Sequence, residues 1–317
     1  MLIKMNNKTI NILGGDYEFT LDISGKCEDY KFKYHPSHLQ EIYKKILNHQ
    51  IFEVSEFSLS NYAMMRDRSI CDMVAIPIFI NRGFRHGIMW VRSDSKISNP
   101  SELKNAKVGI KDYSQTAAVW LRGILFDEYK VHWSEIKWFA NKLQRFEAPA
   151  SVDISLIDED PEELLISGEL DVYVAPRPQD LKRPINNRKL KPMLNNVIEI
   201  EKNYFNRSGI YPINHCVVIH KQTYSKHPNI GHALFNAYTK SKQRALERKL
   251  GSTFLPWAES NWRETMQLFN NDPYPYGLNQ SNRKNVGKLI NYLSEQELID
   301  QKPNIEDLFI NESLHWE

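Results

Sequence analysis

Short β-rich runs alternate with helical patterns along this chain, and that alternation restricts the fold more than any other feature of the sequence. A parallel strand pair needs a long crossover, usually a helix, so strand–helix repetition builds α/β layers around largely parallel sheets. Thr9 to Leu13 reads as a first strand, closed by the turn signal Gly14-Gly15-Asp16. Leu39, Ile42, Tyr43, Ile46 and Leu47 follow at the three-and-four spacing of an amphipathic helix. Strands are expected at 52–57, 73–79 and 86–91, with a helix opening behind Ser58 and Ser60, whose hydroxyls can cap free N–H groups.

The segment SNPSELKNAKVGI (98–110) predicts a short capped helix and then a strand that runs on to Ser114. Ser114 is the expected N-cap of a helix that carries Ala117, Ala118, Leu121, Ile124 and Leu125 on one face. Such a junction points N–H groups out from the carboxyl edge of a sheet and suits a carboxylate. Strands at 136–139, 154–157 and 170–175, a helix at 161–166, a turn-rich stretch at 177–196, a strand at 211–220 and a long helix at 232–250 complete the pattern. At about 150 residues per domain, 317 residues give two lobes, expected as 1–93 with 207–317 and as 94–206. Hinges are expected at Ser93 to Ser95 and Arg177 to Asp180.

Composition removes several classes of function. Forty-one Lys and Arg against 39 Asp and Glu leave a net charge of +2, far from the basic excess of a nucleic-acid binder. The longest apolar run, Val74 to Ile80, contains Pro77 and falls well short of the roughly 20 residues that span a bilayer, so no membrane partner is expected. The start, MLIKMNNKTINILGGDYEF, lacks the apolar core and cleavage site of a secretory signal, and the expected location is cytoplasmic. Cys27, Cys71 and Cys216 are odd in number and far apart, so they read as reduced thiols. His215 and Cys216 are adjacent, and adjacent strand residues point to opposite faces, which argues against a nucleophile–base pair. The ten histidines show no HxH or HExxH spacing and the glycines no GxGxxG, so neither a metal nor a nucleotide cofactor is expected.

A strand, SNPSELKNAKVGI, a Ser/Thr-bearing helix and then LLISGELDVYVA (164–175) together resemble the periplasmic-binding-protein type II fold. Five longer strings are similar to one branch, the 4,5-dihydroxyphthalate decarboxylase family: FEVSEFSLSNY (52–62), IPIFINRGFRHGIMWVR (76–92), TAAVWLRGILFDEY (116–129), RSGIYPINHCVVI (207–219) and DPYPYGLNQSNR (272–283). The resemblance implies two αβ lobes with a ligand cleft between them, and loss of CO2 from a hydroxylated aromatic or heteroaromatic carboxylate without an organic cofactor. The competing class is a solute-binding protein of the same fold that captures an aromatic carboxylate.

Decarboxylation of an aryl acid protonates the ring carbon that bears the carboxylate, so the site needs an acid and an anion clamp. Histidine, with an unperturbed pKa of about 6.5, suits the first role, and the planar fork of arginine suits the second. Arg85 and His86, together in FRHG at the edge of the first lobe, are the leading clamp and acid; the competing reading is a solvated Arg beside a strand-opening His. His215, on the strand that re-enters the first lobe, and Asp16, at the end of the first strand, are further catalytic candidates, against a core histidine and a turn aspartate. Ser58 and Ser60 either bind substrate or cap their helix. Thr116, with Tyr113 beside it, reads as a second carboxylate site, and Trp120, four residues on, as an apolar wall or as core. Arg177, held between Pro176 and Pro178, reads as a stiff clamp from the second lobe. Near the cleft the chain departs from the family pattern at Gln115 and Asn214, polar where apolar residues are expected, and at Lys111 in place of a proline. The two added polar groups point to a substrate with different ring substituents, and Lys111 adds a positive charge close to the expected anion site. The aromatic tail around Trp257, Trp262 and Tyr276 is a candidate surface for a homo-oligomer.

Overall fold

The computed structural model describes residues 8–47, 52–250 and 256–316; the first seven residues of the amino-terminal segment discussed above lie outside them. Along the chain run β1 (Lys8–Gly14), β2 (Gly25–Cys27), β3 (Tyr30–Pro36), α1 (Leu39–Leu47), β4 (Val54–Ser58), α2 (Leu59–Asp67) and β5 (Met73–Arg82). Then come β6 (Met89–Arg92), β7 (Lys107–Ile110), α3 (Thr116–Tyr129), β8 (Lys137–Asn141), β9 (Ile154–Ile157), α4 (Pro161–Ser167), β10 (Val172–Val174) and β11 (Leu190–Pro192). The chain finishes with α5 (Val197–Ser208), β12 (Ile213–His220), α6 (Lys221–Lys226), α7 (Ile230–Leu250), α8 (Ala258–Leu268) and α9 (Gln280–Glu295).

Among the described residues the strands form two six-stranded sheets, ordered β2-β3-β1-β4-β12-β5 and β11-β6-β10-β7-β8-β9. The expectation of largely parallel sheets holds for the central strands: β3, β1 and β4 are parallel in one sheet and β10, β7, β8 and β9 in the other. Each sheet also takes in an antiparallel strand where the chain passes between sheets, β6 against β10 and β12 against β4 and β5. Met89–Arg92 pairs within the second sheet, so the chain changes sheets at 83–88 rather than at the expected Ser93 to Ser95. It returns through 193–212, which contains α5, while Arg177 to Asp180 stays within the second sheet's own connections.

The outer face of the first sheet is covered by α7, whose Ile230, Ala233 and Leu234 pack on Ile10, Ile78 and Val217. A larger core includes α2, α3 and α9, with Tyr62, Trp120, Leu121, Leu289 and Tyr292 all buried. Gly123 makes the contact between α3 and α9 possible, because a Cβ there would lie 2.3 Å from the Tyr292 ring. The seven-residue strand β3 was not among the expected elements, although Tyr30 and Phe32 are buried while Lys31 and Lys33 face out, the alternation of a half-exposed strand.

One expected cap is corrected. Ser114 does not cap α3; its hydroxyl donates to Asp112 Oδ1 at 2.7 Å, and Asp112 also takes the Ser114 N–H at 2.8 Å. The cap position falls to Gln115, whose side chain makes no capping bond, so the first turn of α3 faces the space between the sheets without a side-chain cap. Ser58 does cap α2, accepting from the Asn61 N–H at 3.1 Å.

Candidate active site

Between the carboxyl edges of the two sets of parallel strands lies a cleft of about 1010 Å³, where ligands of open α/β sheets gather. The first sheet lines it with residues after β1, with Asn81 and Arg82 at the end of β5, and with Asn214 and His215 of β12. The second sheet contributes Lys111, Asp112 and Gln115 after β7, Arg145 after β8, and Pro176 and Arg177 after β10.

His215 is the centre of a hydrogen-bonded polar group on this wall. Its Nδ1 meets Glu56 Oε1, and its Nε2 lies 2.5 Å from the Tyr43 hydroxyl. Glu56 is 1% exposed although it sits in the middle of β4, whose five residues are all buried. Donors converge on its carboxylate: the Gly15 N–H at 2.7 Å, the Tyr17 hydroxyl at 2.9 Å and His215. A carboxylate on Nδ1 orients the ring and leaves Nε2 toward the cleft. Burial raises the Tyr43 phenol well above its usual value, and Arg145 lies over the same ring at 4.0 Å. Gly15 has no room for a side chain, since a Cβ would lie 2.4 Å from the Tyr17 ring.

Two consecutive residues of β12 reach the cleft because the strand is irregular there. Ile213 pairs with Arg82 and His215 with Asn81, so Asn214 is an extra residue opposite a single step of β5. A bulge of this kind turns neighbouring side chains toward one face.

Cations predominate on the cleft wall. Arg85 is 7% exposed and has no hydrogen-bond or ion-pair partner among the described residues; burial lowers its guanidinium to about 10, and it stays charged at neutral pH. Glu201 of α5 is near enough to favour that charge but forms no ion pair, its carboxylate instead accepting from the Gly87 N–H at 3.2 Å. A buried guanidinium without a carboxylate is unfavourable until an anion arrives. Arg82 is tied to Asn282 and to the Pro275 carbonyl, and Arg145 to Asp112 Oδ2 at 3.0 Å and Asn61 Oδ1 at 2.9 Å. Lys111 pairs with Asp160 at 3.5 Å, and Arg177 is exposed.

The structure brings Asp16, Arg85, Gln115, Thr116, Arg177, Asn214 and His215 to one cleft, and it leaves other expected site residues out. His86, the leading acid in the sequence, is 1% exposed, packs edge-on against Tyr204 at 4.9 Å and does not line the cleft. Burial, assisted by Arg207, lowers His86 to about 4, so it is neutral where an acid is needed. Tyr113 stacks under the Arg122 guanidinium at 3.7 Å, and Trp120 donates to the Ile213 carbonyl at 2.8 Å; both are core. Ser58 and Ser60 stand behind Thr116 and hold its hydroxyl at 2.7 and 2.8 Å. Asp16 is exposed on the wall, and the role of orienting a histidine falls to Glu56. Glu56, Tyr43, Asn81 and Arg145 were not singled out in the sequence. For Glu56 the signal was present, a lone carboxylate inside an otherwise buried strand. Among the described residues no group of three or more His, Cys, Asp or Glu side chains is placed to hold a metal ion, and no helix is long and apolar enough to cross a membrane.

No protein-family model matches the chain. It is 28% identical over 254 residues to a 4,5-dihydroxyphthalate decarboxylase of Comamonas testosteroni, covering 75% of this chain and 76% of that one. A 4,5-dihydroxyphthalate decarboxylase of Pseudomonas putida is 28% identical over 149 residues, 44% of this chain and 57% of that one. Among solved structures, the periplasmic aliphatic sulphonate binding protein SsuA from Escherichia coli matches with a TM-score of 0.60 at 10% identity, covering 98% of this chain and 99% of that one. The ligand-binding component of an ABC-type import system from Staphylococcus aureus matches at 0.56 and 11% identity, again over 98% and 99%. The desulfurization enzyme DSZB matches at 0.50 and 11%, over 96% and 99%. The chain thus resembles the 4,5-dihydroxyphthalate decarboxylases in sequence and has the two-lobed αβ fold of periplasmic binding proteins.

Proposed function

We propose that this relative of the 4,5-dihydroxyphthalate decarboxylases removes CO2 from a hydroxylated aromatic or heteroaromatic mono- or dicarboxylate by protonating the ring carbon that bears the departing group. The observation that carries this reading is the Glu56–His215–Tyr43 chain opening on the cleft that also holds the unpartnered Arg85. Arg85 binds a spectator carboxylate and so fixes the ring. His215, protonated on both nitrogens and held by Glu56, gives its Nε2 proton to the ring carbon. The bond to the carboxylate then breaks, its electron pair restores the aromatic ring, and CO2 leaves. The balance is one carboxylate and one proton in, one arene and one CO2 out, and solvent reprotonates His215. A hydroxyl para to the leaving group supplies the electron density that makes the ring carbon basic.

The Tyr43 hydroxyl is hydrogen-bonded to Nε2 at 2.5 Å and keeps the imidazole aimed at the cleft. The α3 amino terminus, with Thr116 and Gln115, supports a second carboxylate through its uncapped N–H groups and the positive end of the helix.

The test is CO2 release by the purified protein over a panel of hydroxylated aromatic and heteroaromatic acids that includes 4,5-dihydroxyphthalate. Release that disappears in His215→Gln while substrate still binds supports the mechanism. Saturable binding of an aromatic carboxylate with no release from any member would instead favour a solute-binding role, the role named for several of the structural neighbours.

A further inference from the structure

We propose that Asn214 reads a hydrogen-bond donor on the substrate ring, a phenolic O–H or a ring N–H, and that Glu56 dictates this preference through Tyr17 and Asn81. The inference deepens the aromatic-carboxylate reading above and rests on it.

The argument follows the direction of each hydrogen bond. The Glu56 carboxylate accepts from Gly15, Tyr17 and His215. The single proton of the Tyr17 hydroxyl is therefore committed to Glu56, and toward Asn81 this hydroxyl can only accept. Asn81 meets it with its amide Nδ2 at 3.0 Å, which turns the Asn81 carbonyl the other way. That carbonyl lies 2.8 Å from the Asn214 amide Nδ2 and accepts from it. Asn214 Oδ1 is what remains. It is buried, it has no donor among the described residues, and its residue lines the cleft beside His215.

A free asparagine amide in such a place could rotate and offer either end. Here a flip of Asn214 would set its carbonyl against the Asn81 carbonyl, and a flip of both would set Asn81's carbonyl against Tyr17 with no proton between them. The Glu56 end of the chain, by accepting the Tyr17 proton, thus decides what the far end shows to a ligand. A buried acceptor left without a donor is unfavourable, and a ligand hydroxyl relieves it whereas a ligand acceptor does not. The bulge at Asn214 brings this acceptor onto the same wall as the His215 ring, so a substrate hydroxyl can be read while the ring carbon faces the acid. Holding that hydroxyl by its proton also pushes electron density into the ring, which helps ring protonation.

The experiment measures binding by calorimetry to two probes of similar size, 4,5-dihydroxyphthalate and 4,5-difluorophthalate, whose ring substituents differ in their ability to donate. The wild-type protein should prefer the dihydroxy probe by about tenfold or more, the effect of one satisfied against one unsatisfied buried group. Asn214→Leu should bring the two affinities within about twofold of each other by the same reasoning. Tyr17→Phe keeps the ring packing but frees the two amides to rotate; it should lower the ratio mainly by admitting the difluoro probe, a change that a purely structural role would not produce. Should the Asn214 variant fail to fold, Tyr17→Phe carries the test. Equal wild-type affinities, or a ratio unchanged in the folded variants, overturn the inference. CO2 release with no such ratio removes the inference and leaves the decarboxylase, whereas a ratio without CO2 release removes the decarboxylase and leaves a donor-reading binding site. Failure of the wild type to bind either probe overturns the inference, and the decarboxylase reading then stands or falls on the CO2-release panel.

Discussion

Glu56→Gln isolates the charge behind the proposed acid with little change in shape. In the wild type the carboxylate accepts from the Gly15 N–H, the Tyr17 hydroxyl and His215 Nδ1, and it is 1% exposed. Glutamine keeps one acceptor oxygen and puts an NH2 group among donors, so the imidazolium loses its counter-charge. A contact of this kind sets the two charge centres about 4 Å apart, where the attraction is about 4 kcal/mol at an effective dielectric of about 20. With the remaining amide dipole giving back part of that, a loss of about 2–4 kcal/mol lowers turnover by about 30- to 1,000-fold. The assay is CO2 release at saturating substrate, with KM followed separately and the fold checked by the urea midpoint. KM should change little, because the spectator carboxylate is held by Arg85. Glu56→Gln/His215→Gln should be scarcely slower than His215→Gln alone, since the two side chains act as one unit. A folded Glu56→Gln protein with kcat within about threefold of wild type would refute the reasoning, because the charge would then contribute less than about 1 kcal/mol.

Arg85→Ala removes the unpartnered buried cation and should weaken binding of an aromatic dicarboxylate by about 2–4 kcal/mol, or 30- to 1,000-fold in Kd; calorimetry checks it, and an unchanged Kd would move the clamp to Arg82 or Arg177. His86→Phe should leave turnover intact, since His86 does not line the cleft. The same variant tests a pH effect: His86 is lowered to about 4 by burial, so between there and its unfolded value the unfolded chain binds more protons and stability rises with pH. That contribution is present above about pH 6.5 and is lost as pH falls toward 4, so the wild type should lose about 2 kcal/mol between pH 7 and pH 5 at this residue, and His86→Phe should lose correspondingly less by urea titration. Thr116→Val takes one hydrogen-bond partner from each of the Ser58 and Ser60 hydroxyls behind the α3 amino terminus and should lower the urea-derived stability by about 1 kcal/mol with the m-value unchanged.

Periodicity alone determined the α/β class, the alternation of elements and most of their positions, because apolar spacing reports which face of a helix or strand is buried. Ser58 was legible as a cap because capping acts over three residues. The sequence also marked His215 and Arg85 as chemistry-bearing groups, yet it ranked His86 ahead of His215, because His86 stands beside Arg85 at the expected edge of the first lobe. Only the tertiary structure separated them, burying His86 against Tyr204 and setting His215 between Glu56 and Tyr43. Those partners are 159 and 172 residues away in the chain, and nothing local encodes a contact of that separation. The bulge that turns Asn214 and His215 to one wall is likewise a product of register between β12 and β5, which is set by the two strands packing together rather than by either one's residues. Local physics wrote the elements, and long-range packing chose which of their polar side chains would share a cleft.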